Sequence, residues 1–483
     1  MNDKNKYNHY IVTMTISLAE FIKARDASGP RYRAIAEAIA DAIAAGELTP
    51  GEKLPPMREL AWQLGVTTGT VARAYALGVT RQYLASEVGR GTFVHMTTPP
   101  TTAPALALPT PANETRDATI AMKANLPADV GQEQMLAAET MAMLQKGNAR
   151  HFDYLPAGGA TAHREAGAKW LATGAFTPSP ADIILTSGAQ QAILAAILAT
   201  TEPGDTILTE ALSYHAITAQ ALMLDRRVAP VEIDEEGLIP DALARACRSL
   251  RASVLFTVPT LHNPTTATMS AKRRADIAEV AMTHRLDIIE DDIYANLMEP
   301  RPLPLAHWLA NRSWYINSLS KAVAPGLRTA YLVPPREHHE RCRAIVHGLG
   351  QTLPPLVANL STRLIENGSA AALVARQRTE IAARNEIASQ ILGDARRRQN
   401  AAAMHLWLEL PEHWRASAFT DAARHRGVTI ATGEEFMVGR PDKAARHVRL
   451  CLGAPHNRAE LEQGLQIVSK LTSESPIETQ SLA

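Results

Sequence analysis

Apolar residues recur at intervals of four after Pro30, at Ile35, Ile39 and Ile43, and the run ends at Gly46. That spacing predicts an amphipathic helix with a glycine stop. The stretch Pro56–Gly65 predicts a second, short helix opened by proline and closed by glycine, and Val66–Leu77 predicts a third behind hydroxyl caps. Gln82–Val88 and Thr92–Met96, on either side of Gly89, Arg90 and Gly91, predict a hairpin. Two helices joined by a short glycine-containing turn, followed by such a wing, have the geometry of a winged helix-turn-helix, whose second member enters the major groove.

Residues 97–118 are rich in proline, threonine and alanine, with hardly any charge and no helical or strand period. They predict an extended, semi-rigid linker. Beyond it, apolar runs at 182–186, 206–209, 253–258, 287–290, 313–317 and 329–333 alternate with helical stretches. This alternation predicts a mostly parallel sheet covered on both faces, with chemistry at the carboxyl ends of its strands. The expected fold class is therefore multidomain. An N-terminal winged helix-turn-helix (17–96) and a linker (97–118) precede an α/β domain (119–475) with a smaller C-terminal α/β subdomain.

Length and composition add limits. A chain of 483 residues has room for at least two cores, and its formal charge is zero, which excludes a global polyanion-binding field. Cys247, Cys342 and Cys451 are far apart and form no Cys-x-x-Cys pair, so neither a disulfide framework nor a metal site is expected. No membrane-length apolar run or signal-type core is present, and a cytoplasmic protein is expected. The polar residues before Met14 are either an extension or precede the real start. Between Arg25 and Met96 eight basic residues face seven acidic ones. One copy should bind DNA weakly, so double-stranded DNA with paired half-sites is the expected partner.

The candidate chemistry centres on Lys321, which follows Ser318 and Ser320 and precedes Arg328 by seven positions. A lysine that can be desolvated to a lower pKa suits a Schiff base with pyridoxal phosphate, and the hydroxyls and the guanidinium suit its phosphate. Gly188, Ala189 and Gln190 open a helix after a strand, which makes an anion site. Tyr214 can lay a ring on a planar pyridine. Asn263, held extended before Pro264, can bond a ring hydroxyl. An aspartate beside the pyridine nitrogen keeps it protonated. Asp291 is chosen for this because Tyr294 then lies three positions on, with Asp292 as the alternative. Arg449, alternating with apolar neighbours, can grip an effector carboxylate.

The first domain resembles the GntR-type winged helix-turn-helix. The resemblance is carried by Ala45-Gly-Glu-Leu-Thr-Pro-Gly-Glu-Lys-Leu-Pro-Pro-Met-Arg-Glu-Leu-Ala61, Thr70-Val-Ala-Arg-Ala-Tyr75 and Gly89-Arg-Gly-Thr-Phe-Val94. It implies that Arg58 and Arg90 face DNA, and that Arg73 meets phosphate or a base edge from a helix that also carries Thr70. The chain departs from the pattern at Thr68, where an arginine is usual, and around Arg81 and Gln82, where a glycine is usual.

The second domain resembles the fold type I, aspartate-aminotransferase-like family. This implies the Schiff base at Lys321, pyridine contact at Asp291, ring-oxygen contacts at Asn263 and Tyr294, and stacking by Tyr214. It also implies phosphate contacts at Gly188, Ala189, Gln190, Ser318 and Arg328, carboxylate binding at Arg449, and Tyr154 reaching across a dimer to the neighbour's phosphate. Together the two domains resemble the MocR-type transcription regulators. That resemblance implies a homodimer whose pyridoxal phosphate senses vitamin status or reacts with a small amino compound, and whose physiological role is not enzymatic. The alternative is an active aminotransferase with an appended DNA-binding domain, because transimination by Lys321 serves both.

Overall fold

The computed structural model describes residues 30–44, 48, 52–81, 83–87, 91–94, 119–145, 151–250, 252–350, 353–439 and 442–474. The chain divides into two compact units between Leu108 and Pro109. The expected linker at 97–118, the wing-tip Arg90 and the residues around Met14 lie outside the described residues.

In the first unit, α1 (Arg31–Ala44), α2 (Met57–Leu64) and α3 (Thr68–Thr80) precede the hairpin strands β1 (Leu84–Glu87) and β2 (Gly91–Val94). The isoleucines of α1 are buried with Leu60, Val71, Ala74 and Tyr75, so the four-residue spacing is the face that makes this core. Gly65 ends α2 at φ +66°, a left-handed conformation that turns the chain into α3. Thr67 caps α3 by accepting from the Thr70 amide at 3.2 Å. The wing pairs antiparallel, with Leu84 opposite Val94.

The second unit is built on a seven-stranded sheet. Its strands are β3 (Ile184–Ser187), β4 (Thr206–Glu210), β5 (Arg227–Val231), β6 (Val254–Thr257), β7 (Asp287–Asp291), β8 (Ser313–Ser318) and β9 (Thr329–Val333), in spatial order β3-β9-β8-β7-β6-β4-β5. β9 runs antiparallel to both its neighbours, and the other pairings are parallel. Apolar clusters cover both faces. One includes helix α4 (Ala189–Thr200) and the other includes Leu208, Leu255 and Ile288. β5 was not expected from the sequence. It is an edge strand with an exposed arginine and a proline, so it lacks the apolar run of a central strand.

After the long helix α5 (Ser369–Leu392) the chain forms a smaller antiparallel sheet of β10 (Arg397–Arg398), β11 (His405–Glu409), β12 (Ala431–Thr432) and β13 (His447–Cys451), in order β10-β11-β13-β12. Helix α6 (Arg458–Ser473) packs against α5, and both contribute to the core of this subdomain. The N-terminal piece Ile120–Ala121 pairs with Val428–Thr429, so the unit's first residues belong to its last subdomain.

Candidate functional site

Strand direction gathers the candidate residues at one edge of the large sheet. β7 ends at Asp291 and β8 at Ser318. The antiparallel β9 starts there, with Thr329 opposite Ser187 and Ala330 opposite Ser318, which brings Arg328 to the same edge. Tyr214 and Asn263 follow the ends of the parallel strands β4 and β6. Asn263 lies just before Pro264 in a short turn. The turn is closed by the Thr266 amide donating to the His262 carbonyl at 2.6 Å, and the bond from Asn263 to Pro264 is cis.

Gly188 caps α4 at φ +82°, and a Cβ there would lie 2.5 Å from an Arg328 guanidinium nitrogen. Glycine thus lets the Arg328 fork close on the first turn of the helix, where Ala189 and Gln190 present amides that the helix itself does not use. The Gln190 carbonyl and side-chain oxygen both accept from Gln220. Arg328 is exposed and has no ion pair among the described residues. The hydroxyls of Ser318 and Ser320 are buried without hydrogen-bond partners.

Three adjacent acids are sorted by their partners. Glu290 accepts from the amides of Leu305 and Ala306 at 2.8 and 3.1 Å. Asp292 accepts from the Thr260 hydroxyl at 2.5 Å and the Tyr315 hydroxyl at 3.1 Å. Asp291 keeps Oδ1 buried and unpartnered. Burial, and then the charge of Asp292, push Asp291 up to about 7.

The Lys321 ammonium donates to the Asn125 carbonyl at 2.6 Å. Burial, and then the positive charge of Arg449, push the lysine down to about 8. The Asn125 side chain donates to the Tyr294 hydroxyl at 2.9 Å and lies 3.3 Å from His405 Nδ1. Burial and Arg449 push His405 down to about 3, so its ring is neutral. Burial, and then the charge of Asp291, raise Tyr214. Arg449 donates to Asn263 Oδ1 and to the Lys123 carbonyl, both at 2.7 Å, and its guanidinium lies 4.7 Å from the Phe436 ring centroid. Its Nε is buried without a partner. Sequence reasoning missed Lys123, Asn125, Phe436 and His405. Lys123 and Asn125 lie in an irregular stretch with no period, and the contacts of Lys123 to the site come from its main chain.

Residues 120–468 match the family Aminotransferase class I and II, and residues 31–94 match Bacterial regulatory proteins, gntR family. The HTH-type transcriptional regulator YdeF of Bacillus subtilis is 31% identical over 449 residues, 92% of this chain and 95% of that protein. The chain is a MocR-type transcription regulator. Another protein similar to this regulator is the vitamin B6 salvage pathway transcriptional repressor PtsJ of Salmonella typhimurium, 27% identical over 429 residues, with 86% of this chain and 94% of that protein covered. Among solved structures, LysN, the alpha-aminoadipate aminotransferase of Thermus thermophilus complexed with N-(5'-phosphopyridoxyl)-L-leucine, shares the fold. Its TM-score is 0.68 at 22% identity, over 77% of this chain and 95% of that one.

The cofactor of this regulator's aminotransferase-type domain is pyridoxal phosphate, and the residues present fit it. The Arg328 fork over the Gly188 turn and two orphaned serine hydroxyls suit a phosphate, and the orphaned Asp291 oxygen suits a protonated ring nitrogen. Tyr154 is 89% exposed. In the DNA-binding unit, Arg58 is exposed in the first turn of α2, and Thr68 and Arg73 are exposed on α3. The Arg73 guanidinium lies 5.7 Å from the Tyr32 ring centroid, and the Thr70 hydroxyl pairs with that of Thr67 at 2.9 Å. No described helix is long and apolar enough to cross a membrane.

Proposed function

We propose that this regulator binds double-stranded DNA as a cytoplasmic homodimer on paired half-sites, and that pyridoxal phosphate held by Lys321, together with a small amino compound, sets its DNA affinity. One conjunction carries the reading. The chain that exposes Arg58 and Arg73 in a winged helix-turn-helix also holds a half-buried, low-pKa lysine near an orphaned aspartate oxygen. The name of PtsJ, a vitamin B6 salvage repressor, supports a sensor of that vitamin.

Bound at this site, pyridoxal phosphate supplies an aldehyde that amines attack and a ring that accepts electrons. Lys321 contributes an amine that is part neutral near pH 7, and Asp291 holds a proton at the pyridine nitrogen. Asn263 and Tyr294 direct polar groups to the ring oxygen, and Tyr214 covers the ring. Gly188, Ala189, Gln190, Ser318 and Arg328 hold the phosphate, with Tyr154 of a second copy. Arg449 takes the effector's carboxylate with a fork that Phe436 supports from below. An effector shifts DNA affinity only by binding two arrangements of the protein unequally.

The test is footprinting on DNA upstream of the gene and its neighbours at physiological salt, with and without pyridoxal phosphate. Paired protected half-sites that change with the cofactor are expected. No protection in either state, with cofactor demonstrably bound, would overturn the reading in favour of an amino-transferring enzyme.

A further inference from the structure

We propose that Arg274 and Arg301, acting through Thr260 and Tyr315, hold Asp292 as a buried anion behind Asp291, and that this fixed charge keeps a proton on the pair formed by Asp291 and the cofactor's ring nitrogen. The inference rests on the role proposed for Asp291. Two short chains of hydrogen bonds converge on Asp292. On one side Arg274 Nη2 donates to the Thr260 hydroxyl at 2.9 Å, and Thr260 donates to Asp292 Oδ1 at 2.5 Å. On the other, Arg301 Nη2 donates to the Tyr315 hydroxyl at 2.5 Å, and Tyr315 donates to Asp292 Oδ2 at 3.1 Å. A guanidinium can only donate, so each hydroxyl oxygen is met by an N–H and its own proton is left for Asp292. Both oxygens of Asp292 therefore accept, which is the pattern of an ionised carboxylate.

Position decides what that charge acts on. Consecutive side chains leave a strand on opposite faces, so at the end of β7 Asp291 turns its open oxygen to the site while Glu290 and Asp292 turn away from it. Asp292, Thr260, Tyr315 and Arg274 are all buried. Both arginines are also tied down elsewhere. Arg274 donates to the carbonyls of Met269 and Pro259 at 3.1 and 3.0 Å, and Arg301 to the carbonyl of Trp170 at 3.0 Å. Burial pushes Asp292 up, and the two arginines and two hydroxyls pull against it. Of the charges that act on Asp291, that of Asp292 is the largest, with Lys321 and Glu210 behind it. A negative charge that stays in place makes the neighbouring pair hold its proton to higher pH, and a protonated ring is the better electron sink.

The experiment is a pH titration of the absorbance of pyridoxal phosphate bound to the full chain, with chemical denaturation of the same preparations. Asp292→Asn removes the charge and should lower the pH at which the absorbance changes by on the order of one unit. Thr260→Val removes one donor at nearly constant shape and should lower it by less. Thr260→Ser keeps the hydroxyl and should restore the wild-type position. A merely structural role would reduce stability and leave the titration where it was. That result in Asp292→Asn, or in Thr260→Val if the first variant does not fold, overturns the proposal and leaves Asp291 at the ring. Absence of a bound-cofactor band in the wild type overturns the site reading itself.

Discussion

The rate at which the protein takes up pyridoxal phosphate should report the environment of Lys321 directly. Only the neutral amine attacks an aldehyde, and this amine is pushed from its ordinary 10.5 down to about 8, first by burial and then by Arg449. At pH 7 the neutral fraction is about one in ten for a group titrating near 8, and about one in three thousand for one left at its ordinary value. The site thereby gains roughly 300-fold in reactive amine. The sign follows from the lowered value. Below about pH 8 the lysine is protonated and uptake should climb about tenfold per pH unit, and above it the rate should level off. Rapid mixing of cofactor-free protein with pyridoxal phosphate, followed by absorbance from about pH 7 to about pH 10, measures this. Arg449→Ala removes the second cause of the shift, so the break should move upward. A rate that keeps rising past about pH 9 in the wild type would refute the burial argument.

Asp291→Asn should weaken cofactor affinity by about tenfold or more without destabilising the protein, since its Oδ1 has no partner to lose and burial opposes the charge that asparagine removes. Asp292→Asn should instead destabilise by about 1.5–3 kcal/mol, because Thr260 and Tyr315 donate to that carboxylate. If the two variants exchange phenotypes, the sorting of the acids is wrong. Gly188→Ala sets a Cβ 2.5 Å from Arg328 on a φ of +82°, so titration should show weaker cofactor binding in a protein that still binds DNA. Arg58→Ala and Arg73→Ala should each lower the salt dependence of DNA binding by about one unit of slope without altering cofactor uptake; unchanged slopes would take both residues off the DNA backbone.

The apolar periods of this chain specify its elements closely because each period faces a core. The isoleucines of α1 and the runs that become β6, β7 and β8 are buried where their spacing says they should be. The site residues on those elements inherit that precision, since a strand end fixes where Asp291 and Ser318 emerge. Asp291 and Asp292 could not be separated by sequence. Which carboxylate is left open depends on Thr260 and Tyr315, which reach Asp292 from outside its own strand. Lys123 and Asn125 escaped for a related reason. A main-chain carbonyl aimed at a site leaves no mark in side-chain pattern.

Charge decides how such a site can govern DNA. Eight basic against seven acidic residues between Arg25 and Met96 give one DNA-binding unit almost no net attraction for a duplex, so a weak affinity of a single unit is the expectation on which the proposed pairing rests. Tethering two such units makes the second contact intramolecular, at an effective concentration in the millimolar range when the spacing fits the half-sites, and that gain vanishes when the spacing is wrong. A weak reader is thus more controllable than a strong one. Pairing can raise affinity by about 10²–10⁴ over one unit, so a ligand that changes only the geometry between two copies can switch most of it. Reversing one charge makes the point testable. Glu59→Lys, on the exposed face of α2 beside Arg58, should tighten the binding of a single half-site and blunt the response to cofactor. Tighter binding with an undiminished response would mean that control does not run through pairing.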